Sequence, residues 1–208
     1  MLIESRAKGA PALVFDVPPD FHQVPLERGT EERTASQLQV LADMGLSDTG
    51  QREALSLYLE ALAVRLAKGN VVGTAFCAVQ LDGRPSTATL TMAVHPTHTA
   101  DRGLAVMGAA EAMRREGRSA SVEITDLGQH PAVTAVAERA AVPGDAVSGE
   151  EGAALREMSV LVPVPGHEQA VMVTLSTPCL EDWDVYTNLV LDICRSLRVQ
   201  PTHPDLIR

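Results

Sequence analysis

Aromatic side chains are scarce in this 208-residue chain: they make up 3% of it, with one tryptophan, two tyrosines and three phenylalanines. Leu, Val and Ala must therefore fill most of the interior, and loss of Trp183 should be felt. Cysteine is sparse and badly spaced for chemistry. Cys77, Cys179 and Cys194 lack the close pairs that zinc sites and redox motifs need; Cys77 in a strand and Cys194 on an apolar helix stripe read as buried thiols, and a reducing compartment fits. Positive charge is also short, with 17 Lys and Arg against 27 Asp and Glu, a net charge of −10. That balance argues against nucleic acid or an anionic membrane surface as partner, since both reward clustered Lys and Arg. The small basic cluster Arg114, Arg115 and Arg118 has Glu111 and Glu116 interleaved and reads as a solvated helix end. No apolar run approaches the ~18 residues of a membrane-spanning helix. The opening Met-Leu-Ile-Glu-Ser-Arg lacks the pattern of an export signal, so the expected location is cytoplasmic, without membrane insertion.

What is present is a hydrophobic content of 45%, enough for one core, and the expectation is a single domain over 1–198 with a frayed tail at 199–208. The most informative stretch is Gln169 to Leu197. Val171, Val173 and Leu175 fall on one face of a strand, and Met172, Thr174 and Ser176 on the other, because successive strand residues point to opposite sides. Thr177 and Pro178 then suit the start of a helix, and Glu181, Asp182 and Asp184 favour the positive end of its dipole. Trp183, Tyr186, Leu189, Val190, Ile193, Cys194 and Leu197 recur at helical spacing as one buried stripe.

The remaining elements follow from the same rules. Residues 12–17 form a strand stopped by Pro18 and Pro19, followed by an extended connector pinned by Phe21. Two helices follow, from Thr30 to Met44 with Ala35, Leu38 and Leu41 inward, and from about Gln51 to Lys68 with Leu55, Leu59, Leu62 and Leu66 inward. They predict a helical hairpin packed on a sheet. A β-hairpin over Val71 to Leu81 and Ser86 to His95 turns at Asp82-Gly83, with Leu90, Met92 and Val94 facing the core and Thr87, Thr89 and Thr91 facing away. A helix from Ala100 to Glu116 carries Leu104, Met107, Ala110 and Met113 on one stripe. Strands over 121–126, with Val122 and Ile124 inward, over 132–141, and over 156–163 precede the Gln169 to Leu197 stretch, and 142–152 is an acidic, glycine-rich loop that orders on binding or stays mobile. Short turns between strands predict an α+β fold, a largely antiparallel β-sheet flanked by helices.

Some of these residues resemble a known family. The run Val171 to Pro178, then Trp183 and Tyr186, then Ile193-Cys194-Arg195-Ser196-Leu197, resembles the last strand and helix of the PsbP-like fold. The Phe15 to Phe21 segment is similar to its opening strand and turn, with Asp20 and Phe21 where that fold carries glycine and tryptophan. The chain as a whole resembles actinobacterial proteins of this type. The resemblance implies an α/β/α sandwich and a scaffold that binds another protein, and it supplies no catalytic residue that maps here.

Candidate chemistry reads weakly. His95-Pro96-Thr97-His98, with His130 and His167, is the best metal reading, yet nothing in the spacing makes these turn histidines converge, and no metal is assigned. Ser176 and Thr177 lack a nucleophile elbow and read as capping hydroxyls, while Cys179 has only a helix N-terminus to activate it. The Gly149-Glu150-Glu151-Gly152 run puts acids where a phosphate would be repelled, and its acids solvate more readily than they bind calcium. No catalytic residue and no cofactor is therefore expected. The expected function is a non-enzymatic, adaptor- or chaperone-like protein that holds a protein partner in a bacterial secretion or assembly system. The alternative is a hydrolase or transferase whose site is assembled from distant Cys, His and acidic residues.

Overall fold

The computed structural model describes residues 2–5, 12–24, 29–43, 45, 47–66, 70–140 and 154–200. In chain order its elements are strands β1 (Leu2–Ser5), β2 (Ala12–Asp16) and β3 (Phe21–Gln23), helices α1 (Thr30–Asp43) and α2 (Thr49–Leu66), and strands β4 (Val71–Leu81) and β5 (Arg84–Pro96). Helix α3 (Arg102–Glu116) follows, then strands β6 (Ser121–Asp126), β7 (Pro131–Ala140), β8 (Ala154–Pro163) and β9 (Gln169–Thr177), helix α4 (Trp183–Arg195) and strand β10 (Arg198–Gln200).

Seven strands form the main sheet in the order β3-β4-β5-β9-β8-β7-β6, every neighbour antiparallel. Local chemistry sets the turns. Asp82 and Gly83 both hold positive φ, 51° and 76°, the pair of angles that lets a two-residue turn follow the twist of β4 and β5. At α3, the Asp101 side chain accepts from the Leu104 amide and Gly117 closes the helix in the left-handed region, with its amide donating to the Arg114 carbonyl.

One face of the sheet carries the main core. Register brings Leu90 beside Ala75 and Leu175, and Val173 beside Met92 and Val160. Helix α4 lies on this face with Tyr186, Val190, Ile193 and Cys194 buried and with Trp183 and Leu189 packed at the margin. The Arg156 guanidinium stacks over the Trp183 ring at 5.2 Å, so the indole is sealed by a cation rather than by another apolar group. The opposite face carries α1 and α2 over Phe76 of β4, through Leu41, Leu55, Leu59 and Ala63, and α3 over Val133, Leu161 and Ala170. Helices on both faces make the layers α/β/α, the antiparallel α+β arrangement expected from the turns.

Several details differ from the sequence reading. The 12–17 strand does not join the main sheet: β2 pairs with β1 and β10 in a separate three-stranded sheet, still burying Leu13 and Phe15 in the main core. The Phe21 connector is a strand, β3, paired to β4 through Phe21 and Cys77. Val199 and Gln200 are not tail but part of β10, because β2 offers them an open edge; residues 201–208 and the 142–152 loop lie outside the described residues. The last helix begins not at Pro178 but at Trp183, after a 3₁₀ turn over Leu180–Asp182 whose acids are drawn to Arg84.

The buried stripe of α3 keeps Ala110 and Met113 of the expected one but not Leu104 and Met107. Ala105, Val106 and Ala110 face the sheet, while Leu104 and Met107 face solvent, because small residues allow the helix to lie close over β7 and β8. Ile124 is half-exposed at the edge strand, and in α1 Leu41 is buried as expected, but Gln37 is buried and Ala35 exposed. Leu62 and Leu66 belong to residues whose side chains are not described.

Candidate functional site

On the face that carries α1, α2 and α3, the two helical units cover the flanks of the sheet and leave its middle between them. The hairpin of α1 and α2 sits over β4, and α3 sits over β8, β7 and β6 through Ala109, Met113 and the core residues above. Between them, Thr87, Thr89 and Thr91 of β5 run beside Met172, Thr174 and Ser176 of β9, and Glu157 and Ser159 of β8 complete the floor. All eight side chains are half-buried. Strands 4.7–4.9 Å apart make this trough about 10–15 Å across, the width of one extended strand or one helix.

The floor is hydroxyl-rich and mostly satisfied from within. Ser159 Oγ and Thr174 Oγ1 are hydrogen-bonded at 3.0 Å. Ser176 Oγ donates to Glu157 Oε1 at 3.1 Å, and Arg139 Nη2 donates to the same oxygen at 3.0 Å. Glu157 Oε1 is thus engaged by both Arg139 and Ser176. Such a floor offers hydroxyls to polar backbone and shallow contacts to side chains, without an activated nucleophile.

The residues singled out in the sequence are scattered by the fold. Ser176 bonds Glu157 and caps nothing, whereas Thr177 Oγ1 donates to the Thr87 carbonyl and accepts from the Cys179 amide, a cap of the turn that follows. Cys179 Sγ accepts from the Thr87 amide at 3.4 Å and lies 4.0 Å from the Pro85 carbonyl; no carboxylate or imidazole meets it among the described residues. His95 is half-buried with Nε2 unpartnered, His130 is buried with Nδ1 unpartnered, and His98 and His167 are exposed. Among the described residues no group of three His, Cys, Asp or Glu is placed to hold a metal.

A polar cluster inside the core is structural. Ser86 Oγ and Tyr186 Oη are hydrogen-bonded at 2.8 Å beneath the Leu180–Asp182 turn, and Arg84 clamps that turn by pairing with Glu181 and, at 3.1 Å, with Asp182. Burial pushes the Tyr186 hydroxyl well above its ordinary range. Burial, reinforced by the charge of Asp20, pushes the Cys77 thiol up to about 12, and burial also raises Cys194. None of these groups ionises near neutrality, so the cluster holds the turn and does no acid–base work.

A second concavity of about 690 Å³ lies between β2 and the outer side of α4, lined by Asp16, Val17, Pro18, Val185, Leu189 and Asp192 among others. Its two carboxylates are already engaged, Asp16 with Arg198 and Asp192 with Arg195 at 2.6 Å. Sequence reasoning found the threonine row of β5 and the outward Met172, Thr174 and Ser176, but not that β5 and β9 are neighbours. The signal for the trough was the alternation; the pairing that unites the rows is tertiary.

No protein-family model matches this chain, and no curated protein matches it in sequence. Among solved structures it is similar to LpqN of Mycobacterium tuberculosis, described as involved in cell envelope biogenesis, with 10% identity and a TM-score of 0.47 over 97% of this chain and 90% of that one. It is also similar to the Saccharomyces cerevisiae Ran-binding protein Mog1p, with 11% identity and a TM-score of 0.44 over 96% of this chain and 95% of that one.

Proposed function

We propose that this chain is a non-enzymatic accessory protein that holds a segment of a protein partner in the trough between the α1–α2 hairpin and α3. The observation that carries the reading is the half-buried floor of Thr89, Thr91, Thr174, Ser176 and Ser159, flanked by helices on one face of a sheet whose other face is sealed. A sealed core needs only one face; a second face left uncovered between two helical walls by the described residues suits an occupant. The locked Glu157 and the backbone-bound Cys179 support binding over turnover. The finer reading, an adaptor- or chaperone-like component of a cytoplasmic stage in bacterial secretion or assembly, rests on the PsbP-like resemblance of the C-terminal residues.

The test is co-purification from the native cell. Thr89 is half-buried in the floor, and Thr89→Arg puts a long charged side chain into the trough. The expected outcome is a stoichiometric partner recovered with the parent chain and lost with Thr89→Arg, while both variants unfold at the same denaturant midpoint. Recovery of the same partner by both would reject the trough, and turnover of a small molecule by the purified chain would reject the non-enzymatic reading.

A further inference from the structure

Helix α2 is apolar on two opposite sides, and only one of them is used. Leu55, Leu59 and Ala63 pack towards Phe76 and the sheet. On the far side Ala54, Leu57, Ala61 and Val64 lie in the open, with Leu57 74% and Val64 45% exposed. The spacing of these four, three then four then three, is that of the a and d positions of a heptad repeat, the seam one helix presents to another. A helix that is apolar all round belongs to an environment that buries it all round. Among the described residues, none lies where a second helix would pack. Alanines at 54 and 61 leave room for larger side chains of an incoming helix, at the 8–10 Å separation of packed helices.

Charge selects the occupant. The hairpin exposes Glu31, Glu32 and Glu53, with Glu53 directly beside the seam, while Arg33 is neutralised by Glu60 at 2.5 Å and Arg52, hydrogen-bonded to the Thr49 hydroxyl at 3.3 Å, keeps its charge, so the acids outnumber the cations left to meet them. A second copy of this chain would bring acid against acid, on a molecule of net charge −10. We infer that the outer face of α2 docks an amphipathic helix of another protein, with leucine-type residues along its seam and Lys or Arg on its flanks. This surface is separate from the trough and stands or falls without it.

The probe is a pair of synthetic peptides about three heptads long, with Leu at a and d and either Lys or Glu at e and g. Binding is read by fluorescence anisotropy at physiological salt and mapped by amide chemical shifts on the full chain. The lysine peptide is expected to saturate, with shifts centred on Ala54 to Val64, and Leu57→Ser to weaken it about tenfold, as should the change from Lys to Glu. Leu57 is exposed, so Leu57→Ser is expected to leave the thermal midpoint unchanged. Four results would overturn the inference: binding indifferent to Leu57→Ser, equal binding of the glutamate peptide, shifts centred on Thr174 and Ser176, or self-association of the chain that Leu57→Ser abolishes. The third would assign the peptide to the trough and the fourth would make a second copy the occupant.

Discussion

Thiols and ion pairs give this molecule its residue-level signatures. Cys77 and Cys194 are buried and held protonated, whereas Cys179 is half-buried at the mouth of the Leu180–Asp182 turn. In the native chain at pH 8, a thiol reagent should therefore react with Cys179 alone, and all three cysteines should react once the chain is unfolded; rapid modification of Cys77 without denaturant would contradict the core described above. The sequence marked Cys77 and Cys194 as core thiols from strand and helix position alone.

The Arg33–Glu60 pair joins α1 to α2, and the hydrogen bond from Arg33 holds the Glu60 carboxyl below its usual range. A carboxylate depressed in the folded state contributes stability that is complete above its unfolded value, about 4.3, and disappears as pH falls through the folded value below that. Amide exchange in α1 and α2 should accelerate below about pH 4 in the parent chain. Glu60→Gln should remove that pH dependence, and an unchanged profile would show that the pair does not hold the hairpin. Arg33 and Glu60 sit on different helices, so their meeting was invisible to helical periodicity.

At the scale of elements, α4 is the best-specified piece of the chain. Its apolar stripe was legible because 3.6-residue periodicity is local, and every member of it is buried or packed at the margin. Ile193 is among the most deeply buried, so Ile193→Ala should cost about 2–5 kcal/mol in urea denaturation, the range for an aliphatic side chain removed from a closed core. A loss below about 1 kcal/mol would mean that α4 is not closed on the sheet. By contrast α3 was read only in part: Ala110 and Met113 pack on the sheet as expected, but Leu104 and Met107 lie outward and Ala105 and Val106 inward. Side-chain size points to the larger residues as core, but a helix close to a sheet selects the smaller ones, and how close it lies is not written in its own sequence.

At the scale of the whole molecule, the two ends of the described chain are tied together. Strands β1, β2 and β10 form one small sheet, with Val14 opposite both Glu4 and Arg198, and Arg198 also pairs with Asp16. Ending the chain after Leu197 removes one edge of β2 and should lower the thermal midpoint by several degrees, on a scale of about 2–4 °C per kcal/mol for a domain of this size. No change would show that β10 contributes nothing to stability. The trough and the outer seam of α2 are likewise properties of assembly, since each is defined by what a neighbouring element leaves uncovered.

The sequence by itself determined the hairpins, the antiparallel character of the sheet and the sealed side of α4, because turn chemistry and hydrophobic period act over a few residues. It did not reveal that β5 sits beside β9, that β2 leaves the main sheet to pair with β10, or which side of α3 lies against the strands. Those depend on contacts between residues far apart along the chain, as with Ser86 and Tyr186, and only the folded packing selects among the arrangements that local signals allow. The hydroxyls of the trough could be read one strand at a time. Their convergence into a single floor was decided by the order of the strands.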